Sequence, residues 1–156
     1  MLALDAAKYI VNRCISFGHP ISNLQLQKIL YFCQLAHIKL SGKLLFSDEQ
    51  FEAWQVGPIV RSIYLKYCLY GGFVIDHLQT YQELLVSFPE TLNKVVDKYS
   101  VASPWVLIQE SQRDDGAWNT TFTQFGNKSK IPNELLIKEA ECFNLELVKL
   151  IKRVKI

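Results

Sequence analysis

The chain has 156 residues, of which 49% are apolar and 21% charged, and its net charge is +2 at pH 7. This length corresponds to one domain, residues 1–156, and the composition excludes a disordered chain. The weak positive charge does not favour a nucleic-acid partner, and no apolar run approaches the ~20 residues of a membrane span. The N-terminal residues contain Asp5 and Lys8 and have no cleavage pattern, so no signal peptide is expected.

Two helices are predicted before residue 43. The first covers residues 4–17 and ends at Gly18-His19-Pro20, a typical turn sequence. The second begins after Ser22, which with Gln25 has the spacing of a capping box. Its apolar residues recur at helical spacing, and Gly42 is a candidate left-handed C-cap. The apolar positions are Leu26, Ile29, Leu30, Cys33, Ala36 and Leu40.

One or two short β segments are predicted between Lys43 and Gln55. The first is the run 43–46, and the second is 51–55, which carries Trp54. Gly57-Pro58 is interpreted as a break that starts a third helix, because proline is tolerated in a first turn. Gly71-Gly72 is expected to end that helix.

The remaining chain predicts four more helical stretches and one long loop. Helices are expected at 80–88, 91–99, 104–111 and from 132 or 133 to the end, with Ser103 as an N-cap. The polar stretch 112–130 predicts a loop. The predicted fold is therefore mainly α, a single compact domain of about six helices with one or two short β segments.

The four cysteines are Cys14, Cys33, Cys68 and Cys142. No two form a C-x-x-C pair, and their spacing suits neither zinc nor a disulfide framework. We expect four buried, reduced thiols, which agrees with a cytoplasmic location. No metal or cofactor is predicted.

Residues with catalytic potential are few and scattered. The chain has no nucleophile elbow, zinc-binding helix motif or phosphate loop, so no catalytic residue is assigned and no enzyme activity is expected. His37 lies beside an apolar stripe, and Asp114-Asp115 precede a glycine, as turn residues do. The basic C-terminal run, 149–155, is interpreted as a solvated helix end.

The stretch 26–72 carries a family resemblance. LQKILYF, GKLLF, FEAWQVGPIV and a closing GG occur in this order. They resemble the Panacea domain, the SocA-like antitoxin family, also known as the phage-associated GepA domain. Later in the chain, Ile131, Ile137 and Phe143 keep the family spacing, while Ser111-Gln112 stand where the family has Thr-His.

The resemblance implies a mainly helical cytoplasmic protein of bacterial or phage origin, without an established enzymatic reaction. Many members are antitoxins that bind and neutralise a toxin protein, so the expected partner is a cognate toxin encoded by a neighbouring gene. The candidate partner-binding residues are aromatic, polar or turn-forming positions of the motif and the later tryptophan: Gln27, Lys28, Tyr31, Glu52, Trp54, Gly57, Pro58, Arg61, Tyr64 and Trp118.

These residues permit more than one interpretation. Trp, Tyr and Arg are enriched at protein-interface hot spots, but the same aromatics also fill the cores of small helical domains. Gln27, Lys28 and Tyr31 are one turn apart and are expected to share a surface. Alternatives to the antitoxin are an enzyme with a pocket near Trp54 and Trp118, a DNA-binding autoregulator and a proteolytic adaptor. Homo-oligomer formation also stays open.

Overall fold

The structure is a computed structural model that describes residues 1–80 and 88–145. The described residues form seven α-helices and three short strands, so the predicted mainly α class is confirmed. The helices are α1 (Ala3–Ser16), α2 (Asn23–Ser41), α3 (Arg61–Tyr67), α4 (Glu90–Ser100), α5 (Pro104–Ser111), α6 (Ala117–Phe125) and α7 (Asn133–Cys142). The strands are β1 (Glu52–Trp54), β2 (Gly57–Ile59) and β3 (Ser129–Lys130).

Helix α2 is the centre of the fold. Its predicted capping box is present, since the Ser22 hydroxyl accepts from the Gln25 amide at 3.3 Å and the Gln25 side chain accepts from the Ser22 amide at 2.9 Å. Gly42 closes the helix with φ of +70°. Helices α1, α3, α4, α5 and α7 all pack against α2. Because neighbours cover most of its length, four of its polar residues (Asn23, Gln27, Lys28 and Gln34) are buried together with the apolar stripe. Leu40, the last position of the predicted stripe, is 50% exposed.

The small sheet has the order β2-β1-β3 and is antiparallel throughout. Gly57-Pro58 was predicted to start a helix, and this prediction is wrong. The two residues lie in β2, where Trp54 pairs with Gly57 and Ala53 with Pro58 across a tight turn. Proline is tolerated there because β2 is an edge strand, and the following helix starts only at Arg61.

Two further segments differ from the sequence-based prediction. Residues 43–46 form no strand, because the buried Gln34 side chain takes up their backbone groups: its Oε1 accepts from the Leu45 amide at 2.8 Å, and its Nε2 donates to the Phe46 carbonyl at 3.0 Å. The predicted loop 112–130 contains helix α6 and strand β3. Stacking of Trp118 on Phe122 one turn later, with centroids 4.8 Å apart, stabilises that helix despite its polar composition.

The predictions for the later helices are partly met. Helices α4 and α5 match the expected stretches, and Ser103 caps α5 by accepting from the Val106 amide at 3.4 Å. The last helix begins as predicted but ends at Cys142. The helix predicted at 80–88 and the basic run 149–155 lie outside the described residues, except for the margins of the former.

The prediction of four buried thiols is wrong for two cysteines. Cys14 and Cys33 are buried in the core, whereas Cys68 and Cys142 are exposed at the ends of helical segments. None of the four forms a disulfide. Across the described part of the chain, no helix combines the length and the apolar character that crossing a membrane requires.

Candidate functional site

The central feature of the site is a partly exposed pair of aromatic rings. Trp54 from β1 and Tyr64 from α3 are both half-buried, and their ring centroids lie 5.0 Å apart. The Glu52 carboxylate accepts from the indole Nε1 at 2.8 Å and so fixes the orientation of the Trp54 ring. Arg61 lies one helical turn before Tyr64 and is exposed.

Lys128 completes this surface from the turn between α6 and β3. Its ammonium lies 4.8 Å from the centroid of the Trp54 ring, which is a cation–π distance. Its backbone has φ of +65°, a value that non-glycine residues adopt rarely. A hydrogen bond of 2.7 Å from its amide to the Ala53 carbonyl holds this conformation. We refer to Glu52, Trp54, Arg61, Tyr64 and Lys128 as the Trp54 surface.

Polar side chains of α2 hold the elements that present this surface. The Gln27 Oε1 accepts from the Val60 amide at 2.9 Å, just before α3 begins. Its Nε2 donates to the Asn23 side chain at 3.1 Å, and Asn23 in turn donates to the Tyr64 carbonyl at 2.9 Å. Two residues of α2 therefore fix the start of α3 and the backbone of Tyr64.

Lys28 fixes β2 from inside the protein. Its side chain is fully buried, and its Nζ donates to the Pro58 carbonyl at 3.0 Å. Burial lowers the pKa of Lys28 to about 7, because the charged ammonium loses its hydration. The chain passes so close that a Cβ on Gly57 would lie 2.8 Å from the Lys28 Cε, and glycine is therefore required at this position.

Tyr31 belongs to a second buried group, which connects α2, α6 and α7. Its hydroxyl donates to the Glu139 carboxylate, which also accepts from the Ala117 amide at 2.8 Å. Burial, with the adjacent Glu139 carboxylate, raises the pKa of the Tyr31 hydroxyl, and burial raises the pKa of Glu139. Next in the chain, the Trp118 Nε1 donates to the Trp54 carbonyl at 2.7 Å.

The structure thus separates the predicted site residues into two groups. Arg61 is exposed, and Glu52, Trp54 and Tyr64 are half-buried on one surface. The other six are inside the protein: Gln27, Lys28, Tyr31, Gly57, Pro58 and Trp118. The expected common surface of Gln27, Lys28 and Tyr31 is therefore wrong, because the helices around α2 and strand β2 cover their side chains.

Two residues of this arrangement were missed in the sequence. Glu139 lies three residues after Leu136 and next to Ala140, both of which are buried. A carboxylate at a core-facing helical position is a signal of a buried polar contact that could have identified it. Lys128 had no such signal, because its position over Trp54 depends on the pairing of β3 with β1.

The Trp54 surface is mixed in its chemistry. It combines an aromatic pair with charges of both signs at the surface of the domain, a composition found at protein-interface hot spots. Within residues 1–80 and 88–145, no group of three or more His, Cys, Asp or Glu side chains could hold a metal ion.

Comparison with known proteins gives the family. The family described as "Antitoxin SocA-like, Panacea domain" matches residues 26–119, more than half of the chain. The chain belongs to this family. All ten predicted site residues, from Gln27 to Trp118, lie in the matched range, whereas Lys128 and Glu139 follow it. The resemblance proposed from the sequence is thereby confirmed.

A curated relative supports the same assignment for this Panacea domain protein. Antitoxin SocA of Caulobacter vibrioides (strain NA1000 / CB15N) is 27% identical over 129 residues, which are 75% of this chain and 68% of the relative. No solved structure matches the chain.

Proposed function

We propose that this protein is an antitoxin that neutralises a toxin protein by direct contact through the Trp54 surface. Membership in the SocA-like family supports an antitoxin role. The contact hypothesis rests on which segment the buried hydrogen bonds hold in place. Gln27, Lys28 and Trp118 all bond to backbone groups of the segment 54–60, which presents Trp54 and leads into α3.

Such an arrangement has a functional reason. Burying polar side chains costs free energy unless each finds a partner, and an apolar core would avoid that cost. Here the hydrogen bonds hold a short hairpin and the start of α3 in one geometry. As a result, the aromatic pair is held rigidly at the surface between charged side chains. A preorganised surface loses less conformational entropy when a partner binds.

The test is co-expression with the product of a neighbouring gene that stops growth when expressed alone. The wild-type protein is expected to restore growth and to co-purify with that product. Trp54→Ala and Arg61→Ala are expected to weaken binding by about 1–3 kcal/mol, as truncation of hot-spot residues does. A variant that binds the toxic product more weakly should also restore growth less well.

Matched controls lie elsewhere on the same chain. Trp105→Ala removes a tryptophan that is 75% exposed on α5, and Lys43→Ala removes an exposed cation beyond the far end of α2. Both controls are expected to bind and rescue like wild type. Rescue by Trp54→Ala and Arg61→Ala at wild-type affinity would refute the proposed surface. A toxic neighbour that is neither bound nor neutralised would refute the proposed function.

A further inference from the structure

A depression between α2, α4, α5 and α7 holds a buried carboxylate with one open oxygen. Both hydrogen bonds that Glu139 receives, from the Tyr31 hydroxyl and the Ala117 amide, end on its Oε2. Within residues 1–80 and 88–145, no donor bonds to its Oε1, although the residue is only 5% exposed. In the same residues, the one side-chain oxygen or nitrogen that is sealed from solvent without a partner is Thr121 Oγ1. Solvent therefore reaches the Glu139 Oε1 from the depression.

The depression has the size of a small-molecule site and a partly aromatic lining. Its volume is about 450 Å³, and ligand pockets typically have about 300–1,000 Å³. Phe32 and Phe143 line it and stack with ring centroids 6.3 Å apart, and Phe32 also stacks on Tyr99 at 4.3 Å. A ligand that reaches the open oxygen of Glu139 would therefore also lie against apolar side chains.

The other charged side chains of the lining already have partners. The Arg113 Nε donates to the Asp115 carboxylate at 2.9 Å. The Lys98 Nζ donates to the Tyr99 hydroxyl at 3.3 Å and lies 4.4 Å from the centroid of the Tyr99 ring. Glu110 is exposed and interacts with the same hydroxyl, whose pKa is raised by burial and by this carboxylate. The carboxylate on α7 is thus the charged group of the lining that is both buried and incompletely hydrogen-bonded.

We propose that this depression binds a small organic cation, whose N–H groups donate to the Glu139 Oε1 and whose flat apolar part lies against Phe32 and Phe143. A hydrogen bond between two charged groups is roughly twice as strong as one between neutral groups, so a guanidinium, amidinium or ammonium is favoured over an uncharged donor. An anion would be repelled by the same carboxylate, while Arg113 and Lys98 are already paired. The lining contains no residue of the Trp54 surface, so this inference is independent of the proposed function.

The experiment titrates three matched probes into the isotope-labelled full chain at constant ionic strength and follows the NMR chemical shifts. Benzamidinium, benzamide and benzoate share the phenyl ring and differ in charge. Benzamidinium is expected to bind saturably and to shift the resonances of residues that line the depression. Benzamide should bind more weakly, and benzoate should not bind. Guanidinium chloride, which lacks the ring, should also bind more weakly than benzamidinium.

Two variants separate the charge of the carboxylate from the stability that it provides. Glu139→Gln keeps the shape of the side chain and removes its charge, so benzamidinium should bind at least roughly tenfold more weakly, as loss of a hydrogen bond to a charged group implies. Tyr31→Phe removes a hydrogen bond at Oε2 and leaves the open Oε1 in place. This control should be less stable than wild type and yet bind benzamidinium at least as tightly, at a temperature where it is fully folded.

A second pair of variants tests the location. Cys142 is exposed and lines the depression, so Cys142→Phe should fill part of it and abolish binding of benzamidinium. Cys68 is exposed outside the depression, and Cys68→Phe should bind like wild type. The inference would be overturned if benzoate bound as tightly as benzamidinium, or if Glu139→Gln or Cys142→Phe bound benzamidinium like wild type. Absence of saturable benzamidinium binding would overturn it as well, since water would then be the partner of the open oxygen.

Discussion

The side chain of Lys28 donates a hydrogen bond of 3.0 Å to the carbonyl of Pro58, thirty residues later and entirely inside the protein. The contact joins the central helix α2 to the edge strand β2. Burial sets the pKa of Lys28 at about 7, compared with an ordinary value of 10.5. The folded protein therefore holds a largely neutral amine at pH values where the unfolded chain holds an ammonium.

This difference predicts how stability depends on pH. Between pH 7 and 10.5 the unfolded chain binds more protons than the folded protein, so the free energy of unfolding rises with pH. Lys28 should contribute a rise of about 2 kcal/mol between pH 7 and pH 9. Lys28→Met should lack this increment. Urea denaturation of both proteins at pH 7 and pH 9 measures this increment. An equal change of the free energy of unfolding with pH in the two proteins would show that Lys28 is solvated.

Gly57 gives a second prediction through the same contact. Its φ is +94°, and an added Cβ would lie 2.7 Å from the Ser111 Oγ and 2.8 Å from the Lys28 Cε. Gly57→Ala should therefore cost more than the ~1 kcal/mol of an unfavourable φ alone, by about 1–3 kcal/mol for the added crowding.

Gly42→Ala is the matched control for Gly57→Ala. Gly42 also has a positive φ, +70°, but nothing lies within 4 Å of an added Cβ. Thermal melts of the two variants should therefore separate the cost of the backbone conformation from the cost of crowding. Equal losses of stability would mean that β2 moves away from α2 at little cost.

The sequence predicts most of α2 because its signals are local. Ser22, Gln25 and Gly42 define its ends through contacts within a few residues, and the apolar spacing defines its buried stripe. The same signals do not reveal how much of the helix is covered. Gln27, Lys28 and Tyr31 lie beside the stripe and were expected at the surface, but the packing of five other helices and of β2 encloses them.

The candidate site could be predicted from the sequence less completely than α2. Trp54, Arg61 and Tyr64 could be chosen from residue type and family resemblance, since exposed aromatic and Arg side chains are common in interfaces. Glu139 and Lys128 join the arrangement only through tertiary contacts, with the Tyr31 hydroxyl and with the Trp54 ring. Hydrogen bonds between residues far apart in sequence leave no periodic pattern, so they become visible only in the folded protein.

The cysteines predict two classes of thiol reactivity. Burial raises the pKa of Cys14 to about 12 and also raises the pKa of Cys33, so both remain protonated and inaccessible. Cys68 and Cys142 are exposed. A thiol reagent should modify two residues rapidly in the native protein and four after denaturation.

Variants assign these thiols to their positions. Cys68→Ser/Cys142→Ser should abolish the rapid phase of modification without lowering the melting temperature, since both side chains are exposed. Four slow thiols in the native wild-type protein would contradict the placement of Cys68 and Cys142.

The last prediction distinguishes binding residues from the residues that hold them. Tyr31→Phe removes the hydroxyl that donates to Glu139. The buried carboxylate then keeps the hydrogen bond from the Ala117 amide. Loss of a hydrogen bond to a charged, buried group should cost about 1.5–3 kcal/mol of stability. Arg61→Ala removes an exposed side chain and should change stability by less than about 0.5 kcal/mol.

Arg61→Ala should weaken binding to a toxin partner directly, whereas Tyr31→Phe should weaken it only where its lower stability leaves part of the protein unfolded. Two measurements on the same preparations separate these causes. Urea denaturation gives the stability, and a binding assay at a temperature where each variant is fully folded gives the affinity. Arg61→Ala should lose affinity at unchanged stability, whereas Tyr31→Phe should lose stability and recover most of its binding at low temperature. If Tyr31→Phe is as stable as wild type but binds poorly, Tyr31 contacts the partner directly, and the enclosure of α2 must open on binding.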